Sequence, residues 1–348
     1  MSEFTSLSKK AKAALAVLCG IILTATVIIL VRNGTVREEA EELNILNWTS
    51  YIPDEVLRGF EEEYHIKLNY GTYSSNEELL AKVSSAAPGT YDLVFPSDYM
   101  VDLMIYRDLL SPLDASKLEN AKNLSADFLA QTYDPENTYS LPFLLATSVI
   151  LYDSSQLEPI YSYKDLLRPE LQNDLILLDD QRIVIGAMLN ASGYSMNDTD
   201  DAHLSASLDF FEKLKPNVKA FDSDSPKTFF ITGEVDAGVI WNAEALLAKA
   251  ENPNLKIVYP AEGFALSMDT YCILKGTKHS DAAYLFIDYL LRPEVTAQII
   301  EEYPYISPLL PTASVSEDEL AEIFARGSYV KNVGADIKKL DKLWAKYK

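Results

Sequence analysis

The chain has 348 residues, 48% of them hydrophobic, which suffices for one large domain or two ordinary ones and argues against extended disorder. Its net charge of −22 repels phosphate backbones, which excludes nucleic acid as a partner, and raises the local concentration of cations. Cys19 falls in an apolar segment and Cys272 in an expected strand, so no disulfide framework is expected.

The first element in chain order is apolar. Residues 13–31 carry no charge and follow Lys9, Lys10 and Lys12, a run long enough to cross a bilayer as a helix. The lysines predict an inside N-terminus and an outside body. Cleavage as a signal peptide and lipidation of Cys19 are the competing fates, and all three put the body outside the cytoplasm. Residues 1–34 therefore read as a membrane anchor or signal segment and residues 35–43 as a polar tether.

The body alternates short apolar strands with amphipathic helices. Strands are expected over 44–48, 67–73, 93–96, 148–152, 175–178, 237–241, 256–259 and 270–274. Helices are expected over 54–64, 76–85, 101–107, 183–191, 201–214, 243–250, 281–290, 293–301, 317–324 and 336–347. Ser75-x-x-Glu78 and Ser316-x-x-Glu319 have the form of capping boxes, which satisfy orphan amides reciprocally. Pro53 and Pro293 suit first helical turns, and Val56, Phe60 and Tyr64 mark one buried helical face. The alternation predicts α/β architecture with mostly parallel sheets. No linker interrupts the body, so a two-lobed arrangement must cross between lobes in ordered segments, near 145–148, 266–268 and 308–312.

Catalytic signatures are weak. There is no Gly-x-Ser-x-Gly elbow and no phosphate loop, and none of the 13 glycines forms Gly-x-Gly-x-x-Gly. His65, His203 and His279 stand alone and read as surface residues, so no metal site and no cofactor is expected. Asp179 and Asp180 follow a strand as a hydrolase's carboxylates can, which keeps a membrane-anchored carboxylate-dependent hydrolase as a distant alternative.

Four strand ends carry the positive argument, because ligands in open α/β folds bind beyond the carboxyl ends of strands. They deliver Trp48, Thr49 and Tyr51; Ser97 and Tyr99; Asp179, Asp180 and Arg182; and Trp241 and Asn242. Ring faces attract ammonium and methylene groups, and carboxylates make charge-assisted bonds to amines, so this set suits an extended organic cation.

The stretches NWTSYIP from Asn47, TYSSNE from Thr72, YDLVFPS from Tyr91, YDPEN from Tyr133, YSLP from Tyr139, GYS from Gly193 and GEV from Gly233 occur in a specific order. On them, residues 43–310 resemble the polyamine-binding proteins of extracellular solute-binding protein family 1. These are the substrate receptors of spermidine and putrescine ABC importers. The resemblance implies a two-lobed periplasmic-binding-protein-like fold of type II, with hinged lobes and a ligand cleft between them. It implies lobes of 44–146 plus 268–310 and 147–267 plus 311–348. It also implies a monomeric, non-enzymatic receptor for a polyamine or related small organic cation, working with ABC permease subunits at the outer face of the cytoplasmic membrane. The matching ligand positions are Trp48, Thr49, Tyr51, Ser97, Tyr99, Asp180, Trp241, Asp269 and Tyr305. By this resemblance the aromatics line the methylene chain, Asp269 meets an amine at one end and Asp180 meets another nitrogen. The family pattern has Glu where this chain has Ile183, Trp where it has Ser267, and Gln near Val330. Asp98, Asp179 and Glu244 are the nearby carboxylates that could compensate.

Overall fold

The computed structural model describes residues 41–309 and 315–348. The anchor, most of the tether and part of the expected 308–312 crossing lie outside the described residues.

Strand β1 (Glu42–Trp48) pairs in parallel with β2 (Lys67–Tyr73) and with β3 (Leu93–Val94). Helices α1 (Asp54–Tyr64), α2 (Asn76–Ser85) and α3 (Asp98–Tyr106) follow these three strands in turn. Two long strands, β4 (Leu141–Asp153) and β9 (Phe264–Ile273), run antiparallel through the middle. Beyond β4 lie β5 (Leu175–Leu177), β6 (Val218–Phe221), β7 (Ala237–Trp241) and β8 (Leu255–Val258), and β10 (Gly327–Tyr329) flanks β9. The sheet order is β2-β1-β3-β9-β4-β7-β5-β6, with β8 on β4 and β10 on β9.

The middle strands explain how the two halves of the sheet are joined. Residues 141–147 of β4 pair with β9, and residues 148–153 pair with β7 and β8. The expected strands over 148–152 and 270–274 are thus the halves of longer ones. Pro142 hid the first part of β4; it sits at a register shift, where a missing N–H is tolerated. Ser267 and Asp269 interrupt the apolar pattern of β9, yet both are buried. Strands β6 and β10 and helix α6 (Lys227–Ile231) were not expected, being too short for a periodic signal.

Local chemistry mostly follows the sequence, with two corrections. Ser75 accepts the Glu78 amide at 3.1 Å, but the Glu78 carboxylate reaches Ser74 rather than closing the box on Ser75. Pro53 is the N-cap of α1, with φ −59° and ψ 143°, rather than a first-turn residue. Its carbonyl accepts the amides of Val56 and Leu57, the role any N-cap carbonyl has. Val56 and Phe60 are buried as expected, and Tyr64 stacks on Phe60 at 4.8 Å.

Helices α4 (Gln181–Ala191) and α5 (Asp201–Leu214) and the helix Ile337–Tyr347 pack into one large core with β5 and β7. Helices α1 and α8 (Ser280–Leu290) belong to a second core beside β1. Helix α7 (Asn242–Glu251) follows β7 directly, so the β7–α7 junction sets Trp241 and Glu244.

Gly238 lies in β7, where a Cβ would meet the side chain of Ile176 and stand 2.7 Å from its carbonyl oxygen. Gly238→Ala is therefore expected to destabilise the protein by about 1–3 kcal/mol through overpacking between central strands. Urea denaturation measures this, and an unchanged midpoint would contradict the packing of β5 against β7.

Candidate ligand-binding cleft

The carboxyl ends of β1, β3, β5 and β7 open onto one cavity of about 530 Å³. All nine residues expected at the site line it: Trp48, Thr49, Tyr51, Ser97, Tyr99, Asp180, Trp241, Asp269 and Tyr305.

Asp269 is the most constrained of them. It is 3% exposed and sits where β9 passes the end of β3. The Tyr51 hydroxyl donates to Oδ2 at 2.5 Å, and the Ser97 hydroxyl donates to Oδ1 at 2.6 Å. Asn76 fixes Ser97 in turn, donating to its hydroxyl at 3.1 Å and accepting its amide at 3.2 Å. Burial pushes the Asp269 carboxyl up to about 7, against the hydrogen bonds from Ser97 and Tyr51 that favour its ionised form.

Aromatic rings surround this carboxylate. The Trp48 indole N–H donates to the Phe95 carbonyl at 2.9 Å and its ring meets Tyr73 at 4.7 Å, which fixes the plane it shows the cleft. Tyr51 and Tyr305 pack with ring centroids 4.9 Å apart. Trp241, at the end of β7, lines the cavity beyond β4. Thr49 and Ser50 form the exposed turn between Trp48 and Tyr51, with Ser50 in the left-handed region at φ 56°.

The other pole is built on α4. Asp180 caps this helix, its Oδ1 accepting the amides of Arg182 at 2.8 Å and Ile183 at 3.0 Å. Burial is the main cause that raises its carboxyl to about 6, opposed by those two amides. The buried Arg182 guanidinium stands 5.6 Å over the Tyr99 ring and donates to Asn197 at 3.2 Å. The Tyr99 hydroxyl donates to Glu77 at 3.1 Å. A fixed cation thus balances the acids at this pole.

Other strand-end residues have different roles. Asn242 accepts the Thr147 amide at 3.0 Å and so braces the β4–β7 junction. Asp179 pairs with Lys348 at 2.6 Å, and that ammonium lies 4.2 Å over Phe221 and 5.1 Å over Trp344. The cleft rim therefore already holds one ammonium on aromatic faces and a carboxylate. Asp179 and Asp180 are engaged separately and do not act as a pair. Asp98 is fully buried below the lining and burial holds its carboxyl well above the usual range. Ile183, Ser267 and Val330, the departures from the family pattern, all line the cavity, as does Glu244. Glu77 escaped the sequence reading; its position in the first turn after the β2 strand end was the available signal. His203 and His279 contact Asp198 and Asp92, and no cluster able to hold a metal occurs among the described residues.

A carboxyl raised in the folded state binds protons that the unfolded chain does not, so stability falls as pH rises from the unfolded value through about 7. Asp269→Asn removes the cost of burying that charge. It is expected to raise the melting midpoint at pH 8 by several degrees. A lowered midpoint at pH 8 would contradict this electrostatic reading.

Comparison with known proteins matches this architecture. The family profile described as bacterial extracellular solute-binding protein matches residues 55–323. The spermidine/putrescine-binding periplasmic protein of Escherichia coli K12 is 35% identical over 325 residues, covering 90% of this chain and 93% of that one. The solved substrate-binding protein of a Streptococcus pneumoniae spermidine/putrescine ABC transporter is 34% identical with a TM-score of 0.75, covering 88% of this chain and 98% of that one. The Tp0655 lipoprotein of Treponema pallidum is 28% identical with a TM-score of 0.80, over 88% of this chain and 99% of that one. The fold is thus the two-lobed one of periplasmic binding proteins, and the chain belongs to the bacterial extracellular solute-binding proteins.

Proposed function

We propose that this chain is the receptor of an ABC importer that captures a polyamine, spermidine or putrescine, and delivers it to the permease. The observation that carries the reading is Asp269, a buried carboxylate in a cradle of hydroxyls, within a cleft walled by Trp48, Tyr51, Tyr305 and Trp241. An ammonium there gains a charge-assisted hydrogen bond, and the rings cover the methylene chain. Relatives at about a third identity that are named for spermidine and putrescine support the same ligand class.

In this reading the lobes are 44–146 with 268–310 and 147–267 with 311–348, and β4 and β9 are their shared crossing strands. Ligand contacts from both lobes favour the closed form. Trp48, Thr49, Tyr51, Ser97, Tyr99, Asp269 and Tyr305 act from the first lobe, and Asp180 and Trp241 from the second. An uncleaved helix in residues 1–34 would hold the monomer beside its permease and raise its effective concentration there. A second reading keeps the receptor and changes the ligand to another small organic cation. Ile183 and Ser267, buried in the cleft where the family pattern has Glu and Trp, favour it.

Calorimetric titration of the full chain in mild detergent, with spermidine, putrescine, cadaverine and a basic amino acid, separates the two. Saturable binding of one amine at about −8 kcal/mol or better, lost for the most part in Asp269→Asn and Trp241→Ala, is the expected result. Unchanged affinity in both variants would overturn the cleft assignment. Heat from the amino acid alone would support the second reading.

A further inference from the structure

Lys348 follows the helix Ile337–Tyr347, and its backbone N–H donates to the Trp344 carbonyl at 3.1 Å, so the helical hydrogen bonding runs through it. The final turn of this helix is firmly held. Tyr347 is 1% exposed, stacks on Phe211 with ring centroids 3.9 Å apart and donates its hydroxyl to Ser207 at 3.3 Å. The Lys215 ammonium donates to the Lys346 carbonyl at 3.1 Å, and Gln181, in the first turn of α4, donates to Asp341 at 3.1 Å. An anchored helix thus delivers the Lys348 ammonium to one place, and little backbone freedom remains to be lost there.

That place is the cleft rim. Asp179 follows β5, Phe221 ends β6, and the Phe221 and Trp344 rings meet edge to face at 5.5 Å. The ammonium lies 2.6 Å from an Asp179 carboxylate oxygen, 4.2 Å over Phe221 and 5.1 Å over Trp344. A surface ion pair alone contributes little, but a carboxylate with two ring faces is the set that recognises an ammonium. Asp179, Phe221 and Trp344 line the same cavity as Asp269, and Asp179 is the chain neighbour of Asp180. Asp222 and Asp224 line it as well, so the surroundings of this seat attract cations.

We propose that Lys348 is a specificity-determining residue whose ammonium fills the seat where the outermost ammonium of a long polyamine would otherwise sit. The proposal rests on the polyamine reading above. A tethered ammonium has a high effective concentration at its seat. A ligand that displaces it exchanges one ammonium for another and gains no net contact. Amines that stop short of Asp179 do not meet it. The cleft therefore discriminates against the longest amines without any steric wall, and Lys348 tunes this without touching Asp269.

The test titrates the full chain with putrescine, spermidine and spermine at 0.15 M salt, where screening limits the general effect of one lost positive charge. Lys348→Met keeps most of the stem and removes the ammonium. It is expected to tighten spermine about tenfold, the gain from one desolvated carboxylate-and-ring seat, and to leave putrescine within about twofold. Lys348→Arg keeps the charge and is expected to keep the amine ranking of the unaltered chain. Adding Asp179→Asn to Lys348→Met empties the seat of its carboxylate and is expected to cancel most of the spermine gain. An equal change for all three amines in Lys348→Met would overturn the proposal, as would no change in any of them or a spermine gain that survives Asp179→Asn. Each of these leaves the polyamine reading standing. Absence of binding by every amine to the unaltered chain would overturn the polyamine reading and this proposal with it.

Discussion

Asp269 accepts hydrogen bonds from Tyr51 and Ser97, residues displayed at the ends of two different strands, while lying on a third. The rest of the site depends on this carboxylate being buried. A charge removed from water costs several kcal/mol unless it is paired, and two neutral hydroxyls compensate it only in part. The protein thus carries an acid that is only partly ionised near neutral pH. In the proposed reading an ammonium supplies the missing compensation, so part of the binding energy of a cation is stored in the unliganded fold.

The aromatic lining follows from the same constraint. Water would solvate Asp269 and weaken its demand for a cation, and Tyr51, Tyr305 and Trp48 exclude it. Each ring is held by a separate contact: Tyr51 by Asp269, Tyr305 by Tyr51, and Trp48 by the Phe95 carbonyl and Tyr73. Rigid rings lose little entropy on binding, which favours affinity. The second pole is arranged differently. Arg182, stacked on Tyr99 among Asp180 and Glu77, provides a resident cation where the ligand would otherwise have to bring one.

Much of this was legible from residue order. The ends of β1 and β7 carry Trp48 and Trp241 after short apolar runs, and the helices after them begin where Pro53 and the Asn242 turn direct. The site residues from β9 were legible only through family resemblance. Asp269 lies within a strand that Ser267 and Asp269 themselves disguise, because a strand buried on both faces is normally apolar throughout. Glu244 was visible as a nearby acid, but its place in the cleft depends on how α7 leaves β7. Arg182 read as a polar residue after a strand; that it is a buried cation over Tyr99 depends on a contact between residues far apart in the chain. In β4, Pro142 and the Thr147–Ser148 pair resemble strand ends, and in β9 Ser267 and Asp269 do, so each strand reads as half its length.

The most direct test of the account is whether binding a cation ionises Asp269. Titration calorimetry of the amine that binds, at pH 7 in two buffers of different ionisation enthalpy, counts the protons exchanged. A cation stabilises the carboxylate, so the carboxyl shifts down from about 7 and a fraction of a proton leaves per ligand bound. Affinity then weakens as pH falls below 7, where Asp180 also takes up protons. Equal heats in the two buffers between pH 6 and 8, with binding intact, would contradict the claim that the ligand's ammonium meets a buried, partly protonated Asp269.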